Sequence, residues 1–289
     1  MRLEEMDRKN EIRLIGLDLD GTTLTTDKVL TPRTKEVLEE CIKRGIEVLP
    51  ATGRPRAGIP DYLTRMEGIR YLITSNGASV IELSTQKVIY TNGIAWERAL
   101  EIFDILEGYG TFYDAYMMGR GWCEGRFFDH LEDYGVEGHT LKMVRDSRTR
   151  IEDLRKWVCE KKMPIEKINM FFKREEDRQE AFRELERIPD VAVTCSLANN
   201  LELNHAACNK GDALMKMAEL LDIPMEQTMV CGDGNNDVEM IKRAGVGVAM
   251  KNGEEGVKAV ADFITLSNDE EGVAYAIEHF CPDIRPRRQ

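Results

Sequence analysis

Apolar residues along this chain gather into short runs, and amphipathic segments separate them. The run "IRLIGL" (12–17) is followed by "TPRTKEVLEECIKRG" (31–45), then by "IEVLP" (46–50) and "YLIT" (71–74). In the second of these, Val37, Leu38, Cys41 and Ile42 recur at helical spacing and make one apolar face. Thr31 suits the N-cap of that helix, Pro32 its first turn and Gly45 its end. Strand, helix, strand at this spacing is a βαβ unit, which requires a parallel sheet with right-handed crossovers. The pattern returns late in the chain as helix "KGDALMKMAELLD", strand "TMVC", helix "NDVEMIKRA", strand "VGVAM", helix "GEEGVKAVA" and strand "FIT".

Between residues 86 and 192 the texture changes. Aromatics concentrate in "TFYDAYMMGRGWCEGRFF", and charged amphipathic helices are predicted near 149–162 and 174–187, with "KINMFF" and "VAVTCS" as strands flanking the second. The fold class read from this order is α/β: a doubly wound, Rossmann-like parallel-sheet core, interrupted by an inserted α+β domain. The core is assigned to residues 1–85 and 193–289, and the insertion to 86–192. No internal repeat or low-complexity linker interrupts either part.

Composition narrows the function. The 289 residues carry a net charge of −12, which disfavours nonspecific binding to nucleic acid or to an anionic membrane. The basic tail "RPRR" is read as a solvated end. No apolar run reaches membrane-spanning length, and the charged start "MRLEEMDRKNEIR" lacks the apolar stretch of a signal peptide. Seven scattered cysteines never form C-x-x-C, so reduced thiols in a cytoplasmic protein are expected, without a disulfide framework or a zinc site.

Each core strand runs into a polar cluster, and in open α/β sheets ligands gather beyond the carboxyl ends of the strands. The first strand ends in Asp18 and Asp20, and the second in "ATGR" with Thr52, Gly53 and Arg54. "YLIT" leads into "SNGA", and "TMVC" into "GDGNND" with Asp233, Asn236 and Asp237. Lys210 opens a helix, where backbone N–H groups favour anions. Singly, the D-x-D, the TGR and the lysine each read more readily as a turn or a solvated position, and only "GDGNND" leans toward a site. "GDGNND" is not a calcium loop, because the twelfth position is Ala244 in place of the required glutamate. Jointly they suit one task. Several carboxylates in a small space call for a hard divalent cation, best Mg²⁺, while a lysine, a threonine hydroxyl and glycine amides suit a phosphoryl group. Metal, phosphate cradle and a further carboxylate together point to phosphoryl transfer.

The motifs "DLDGTTL", "ATGR", "TSNGA", "NKGDAL", "GDGNNDVEMIKRAGVGVAM" and "LSNDEEGVAYAIEHF", in this order and spacing, resemble the haloacid dehalogenase superfamily, in particular its Cof-type phosphatases. The resemblance implies a cap inserted after the third strand, closing over the core and choosing the substrate. It also implies roles. Asp18 would be the nucleophile that forms an aspartyl-phosphate. Asp20 would protonate the leaving oxygen and then activate water. Asp18, the Asp20 backbone carbonyl and Asp233 would bind Mg²⁺, with Asp237 beside the metal. Thr52, Gly53, Lys210, Asn236 and the Leu19 amide would hold the transferring phosphoryl group. A small phosphorylated metabolite is the expected substrate; nothing points to a protein partner.

Lys251 stands where many relatives have glycine, and "NHAACNKG" is unusually polar before Lys210. His205 and Cys208 are read as packing residues, and Arg54 as either a site residue or a structural ion-pair member. Of the inserted aromatics, Phe112, Tyr113, Tyr116, Trp122, Phe127 and Phe128 are read chiefly as core, the alternative being a stacking wall for substrate. Arg120 and Arg126 are candidates to meet a second anionic group. Two other functions use similar parts: a sugar-phosphate phosphomutase, and a receiver-like phospho-acceptor without turnover. The acid/base candidate Asp20 and the large insertion count against the acceptor.

Overall fold

A computed structural model describes residues 11–195 and 197–284, the side chain of His139 excepted. The charged start up to residue 10, Ser196 at the end of "VAVTCS" and the basic tail lie outside those residues.

The first part of the chain forms β1 (Leu14–Leu17), α1 (Pro32–Lys43), β2 (Glu47–Pro50), the short α2 (Asp61–Thr64), β3 (Tyr71–Thr74), β4 (Ser79–Glu82) and β5 (Lys87–Thr91). The middle part forms α3 (Trp96–Leu106), β6 (Thr111–Met117), β7 (Arg120–Glu124), α4 (Gly125–Phe128), α5 (Gly138–Ser147), β8 (Arg148–Ile151), α6 (Leu154–Lys161), β9 (Lys167–Phe172), α7 (Glu175–Leu185), β10 (Val191–Thr194) and β11 (Asn200–His205). The last part returns to alternation with α8 (Lys210–Leu220), β12 (Thr228–Gly232), α9 (Val238–Arg243), β13 (Val246–Ala249), α10 (Glu255–Lys258), β14 (Phe263–Ile264) and α11 (Gly272–Phe280).

Five parallel strands make the main sheet, in the order β14-β13-β12-β1-β2. Strand β1 is buried at all four positions, which is why its sequence is a continuous apolar run without alternation. Helix α1 begins as its sequence predicts: Thr31 accepts a hydrogen bond from the Thr34 amide, and Pro32 opens the first turn. Its face buries Val37, Leu38 and Cys41. Burial of the two aliphatic side chains contributes about 2 kcal/mol each.

Two features of this part depart from the sequence pattern. Strand β3 is not a full member of the parallel sheet. It pairs antiparallel with β4 in a separate sheet of order β3-β4-β5, and reaches β2 only through an isolated bridge between Ala51 and Ile73. Helix α10 is four residues long where the pattern predicts a helix over 253–261. Glu254 caps the short turn and sends its amide to the Asp233 carbonyl at 2.8 Å, so this segment serves the site loop.

The chain folds into two compact units. One holds the described residues up to Gly53, Pro60–Tyr90 and those from Asn209; the other holds Arg54–Ile59 and Thr91–Cys208. The second unit therefore takes in a short early segment, and its main stretch starts later than residue 86 and runs past 192. Strand β5 belongs with β3 and β4, and β11 pairs with both β9 and β10. The six-stranded sheet of the second unit has the order β10-β11-β9-β6-β7-β8. Residues 148–151, predicted as the start of a helix, are instead β8, parallel to β7; helix α6 begins only after Asp153, which accepts from the Lys156 amide.

The aromatics of the second unit are packing residues. Phe112, Tyr113, Tyr116 and Phe127 are all buried; Phe112 stacks on Phe171 and Phe103 on Tyr113. Trp122 and the partly buried Phe128 pack against the same core, and Trp122 also meets Trp157. Arg126 is engaged by Glu107 and Glu124, so it is not held out for a second anion. Arg120 is exposed on β7.

Candidate active site

Strands β2, β1 and β12 are neighbours, and their carboxyl ends deliver the acidic and phosphate-type residues to one edge of the sheet. Asp18 follows β1 directly, and its amide still pairs with the Cys231 carbonyl of β12 at 3.0 Å. Asp233 follows β12, and Asp237 stands one short turn later, just before α9. Carboxylate oxygens of Asp18, Asp233 and Asp237 all lie within 4.8 Å of one another.

Lys210, the first residue of α8, projects into this group. Its Nζ donates to Asp18 Oδ1 at 2.5 Å and to Asp237 Oδ1 at 2.7 Å, with the lysine and Asp237 fully buried. Local sequence explains its placement. Asn209 caps α8 by accepting from the Asp212 amide at 2.8 Å. Gly77, in the left-handed region, lets the "SNGA" turn press against that cap: a Cβ there would lie 2.2 Å from the Asn209 carbonyl oxygen.

Asp237 is a brace. While one of its oxygens takes Lys210, the other accepts from the amides of Asp233 and Gly234 at 2.9 and 3.0 Å. Asp233 is fixed from the opposite side by the Thr22 hydroxyl, 2.8 Å from Oδ1. The turn after β1 approaches so closely that only glycine fits at position 21. Its φ is +85°, and a Cβ would sit 2.3 Å from Asp233 Oδ2. Asn252 closes the turn by donating to the Gly21 carbonyl at 2.8 Å.

Electrostatics follow from this crowding. Burial pushes the Asp18 carboxyl up to about 7, Asp237 and Asp233 push the same way, and Lys210 opposes them. Burial also raises Asp233, against the Thr22 hydrogen bond. Burial disfavours the Lys210 ammonium, but Asp18 and Asp237 outweigh it and hold the group above the ordinary lysine value. With all three carboxylates ionised, one ammonium leaves two negative charges uncompensated in the site, and that excess is what raises Asp18 and Asp233 beyond the effect of burial. An all-oxygen donor set with excess negative charge fits a hard divalent cation.

Asp20 is placed differently. Its carboxylate is outside the three-residue cluster and pairs with Lys28 Nζ at 2.9 Å, one-third exposed. Leu19 is buried between the two aspartates, and its carbonyl accepts from the Leu24 amide at 2.9 Å. Thr52 is buried beyond β2, its amide donating to the Ile73 carbonyl. Gly53 and Asn236 meet at one side chain: the Asn236 amide donates to Asn76 Oδ1 at 2.9 Å, and a Cβ on Gly53 would lie 2.8 Å from the same oxygen.

Asn76, Thr22 and Asn252 are site residues that the motif reading leaves unassigned. Asn76 has a local signal, an asparagine before glycine in "SNGA", and it adopts φ +58°. Asn252 has none, since its role depends on a turn more than two hundred positions away.

Arg54, His205 and Cys208 fall in the second unit. Arg54 donates to the Gly58 carbonyl at 2.9 Å, and His205 lines a cavity with Gly93, Glu97 and Asp190. Lys251 pairs with Glu270 at the surface.

The family model for haloacid dehalogenase-like hydrolases matches residues 15–277. The chain belongs to this family. It is 30% identical over 274 residues to the 5-amino-6-(5-phospho-D-ribitylamino)uracil phosphatase YcsE of Bacillus subtilis, covering 93% of this chain and 96% of the relative. It is also 30% identical to Phosphatase YwpJ of the same organism, over 93% of this chain and 99% of that one. Among solved structures, a haloacid dehalogenase-like hydrolase from Bacteroides thetaiotaomicron superposes with a TM-score of 0.78 at 28% identity, over 93% of this chain and 99% of the other. The enzyme class that goes with this family and these relatives is phosphoric monoester hydrolase. The acidic cluster of this haloacid dehalogenase-like hydrolase stands at the ends of β1 and β12.

Proposed function

We propose that the protein is a Mg²⁺-dependent phosphatase of small phosphorylated metabolites that works through an aspartyl-phosphate on Asp18. The observation that carries this reading is the buried Lys210 ammonium, bonded to both Asp18 and Asp237 beside Asp233. Lys210 opposes the burial that favours the protonated form of Asp18, and it holds the carboxylate aimed and close to where an anionic phosphoryl group would be neutralised.

An Asp18 oxygen attacks phosphorus, the ester P–O bond breaks, and the leaving oxygen takes its electron pair and a proton from Asp20. Asp20 then removes a proton from water; the water oxygen attacks phosphorus, and the bond to Asp18 breaks to restore the carboxylate and release phosphate. Asp18, Asp233 and the Asp20 carbonyl would hold the cation, with Asp237 bracing Lys210 beside them. When bound, Mg²⁺ offsets repulsion between the nucleophile and the phosphate. Thr52, Gly53, Asn236 and the Leu19 amide hold the phosphoryl oxygens, and Asn76 fixes Gly53 and Asn236 against each other.

Among the described residues no helix is long and apolar enough to cross a membrane, and the seven cysteines are all free thiols. Free thiols suit a reducing compartment, so the enzyme is read as cytoplasmic and as meeting soluble metabolites. Sugar phosphates are the leading substrate class, and the name of the YcsE relative adds phosphorylated ribityl compounds. The test is inorganic phosphate release from a panel of both kinds. Release with Mg²⁺, loss in excess chelator and recovery on adding Mg²⁺ are expected; full activity in chelator would overturn the metal assignment. Isomerised sugar phosphate without phosphate release would identify a phosphomutase, and a persistent phospho-Asp18 without turnover a phospho-acceptor.

A further inference from the structure

Lys28 takes no part in the chemistry above, yet it occupies a built position. It lies in the loop after β1 with φ +62°, a left-handed conformation that costs a lysine roughly 1 kcal/mol and that glycine or asparagine would adopt more readily. The loop around it is fastened. The Thr25 amide donates to the Val29 carbonyl at 3.0 Å, and the Lys28 amide to the Thr25 carbonyl at 2.8 Å. Asp269 accepts from both the amide and the hydroxyl of Thr26, at 2.8 and 2.7 Å. The Tyr62 hydroxyl donates to the Lys28 carbonyl at 2.9 Å. The result of this bonding is an ammonium 2.9 Å from Asp20 Oδ1.

We propose that Lys28 is a positioning residue for Asp20, holding that carboxylate in the orientation needed for its two proton transfers. The inference rests on the reading of Asp20 as the proton-transfer group. Asp20 stands on a partly exposed turn, and the Lys28 ammonium fixes the direction of its Oδ1 from the solvent-facing side. An ion pair to a rigidly held backbone selects one rotamer of that carboxylate, which matters because proton transfer requires hydrogen-bond reach of the reacting oxygen.

The test is a double-mutant cycle on kcat/KM toward an alkyl phosphate in saturating Mg²⁺. Lys28→Met is expected to lose about tenfold, a part of the roughly 10²–10⁴-fold that general acid–base catalysis supplies. Lys28→Arg, which keeps the charge and the same backbone strain, should recover most of it. In an Asp20→Asn background, Lys28→Met should change nothing further, because Lys28 acts only through Asp20. Equal losses in both backgrounds, or no loss in the single variant, would overturn the proposal. An inactive wild type would instead count against the phosphatase reading itself, so the two failures are distinguishable.

Discussion

Asp18 and Lys210 show how one pair of residues sets both the stability and the chemistry of the site. The carboxylate is buried among two others, so its charge opposes folding until something cationic compensates it. Lys210 supplies part of that compensation from 192 positions away in sequence. Two substitutions should therefore act in opposite directions on the metal-free protein. Asp18→Asn removes turnover but leaves the urea midpoint unchanged or raised, because it deletes a repelling charge while Asp237 still partners the lysine. Lys210→Met should lower stability by about 3 kcal/mol, since it strands buried carboxylates, and Mg²⁺ should restore part of the loss. Equal destabilisation by both variants would contradict this balance. That Asp18 and Lys210 belong to one site was legible in the sequence from motif order alone. Thr22 and Asn252 were not, because what they bond to is decided by turns that meet only in the folded chain.

At the scale of elements, the site is assembled from turns pressed against one another more closely than side chains normally allow. Gly21 against Asp233 is the sharpest case. Gly21→Ala would place a methyl group into the Asp233 carboxylate and impose a left-handed alanine. The half-saturating Mg²⁺ concentration for activity should rise by about tenfold or more, in the range that disturbing a ligand's support commonly produces. An unchanged Mg²⁺ titration would show that Asp233 does not depend on that contact. The regular elements of the main sheet were legible because buried parallel strands are continuous apolar runs and their helices carry a clear apolar face. The irregular ones were hidden. Strand β8 reads as part of a charged helix, since Arg148 and Arg150 look like solvated positions, yet the Arg148 side chain is buried in an ion pair with Asp114. Strand β11, "NLELNH", alternates polar residues on a face that a sequence scan takes for surface; Asn200 and Asn204 are buried on it.

Across the whole molecule, the division of labour is topological. A five-stranded parallel sheet gathers residues from three distant segments, and an insertion of more than a hundred residues separates the first two from the third without disturbing that register. The family assignment rests on the same arrangement, since the matched region spans both parts of the core and the insertion between them. The placement of the insertion was legible because composition changes on entering it. Its ends were not, because β5 and β11 are joined to their sheets by backbone pairing that composition does not record. In the proposed mechanism catalysis passes through a covalent phosphoryl group on Asp18. Acid quenching during turnover, followed by mass spectrometry of the peptide bearing Asp18, tests it most directly. The expected result is a phosphorylated Asp18 peptide in the wild type and none in Asp18→Asn, which does not turn over. Undiminished phosphate release by Asp18→Asn, with no phosphoryl group on that peptide in any variant, would contradict it.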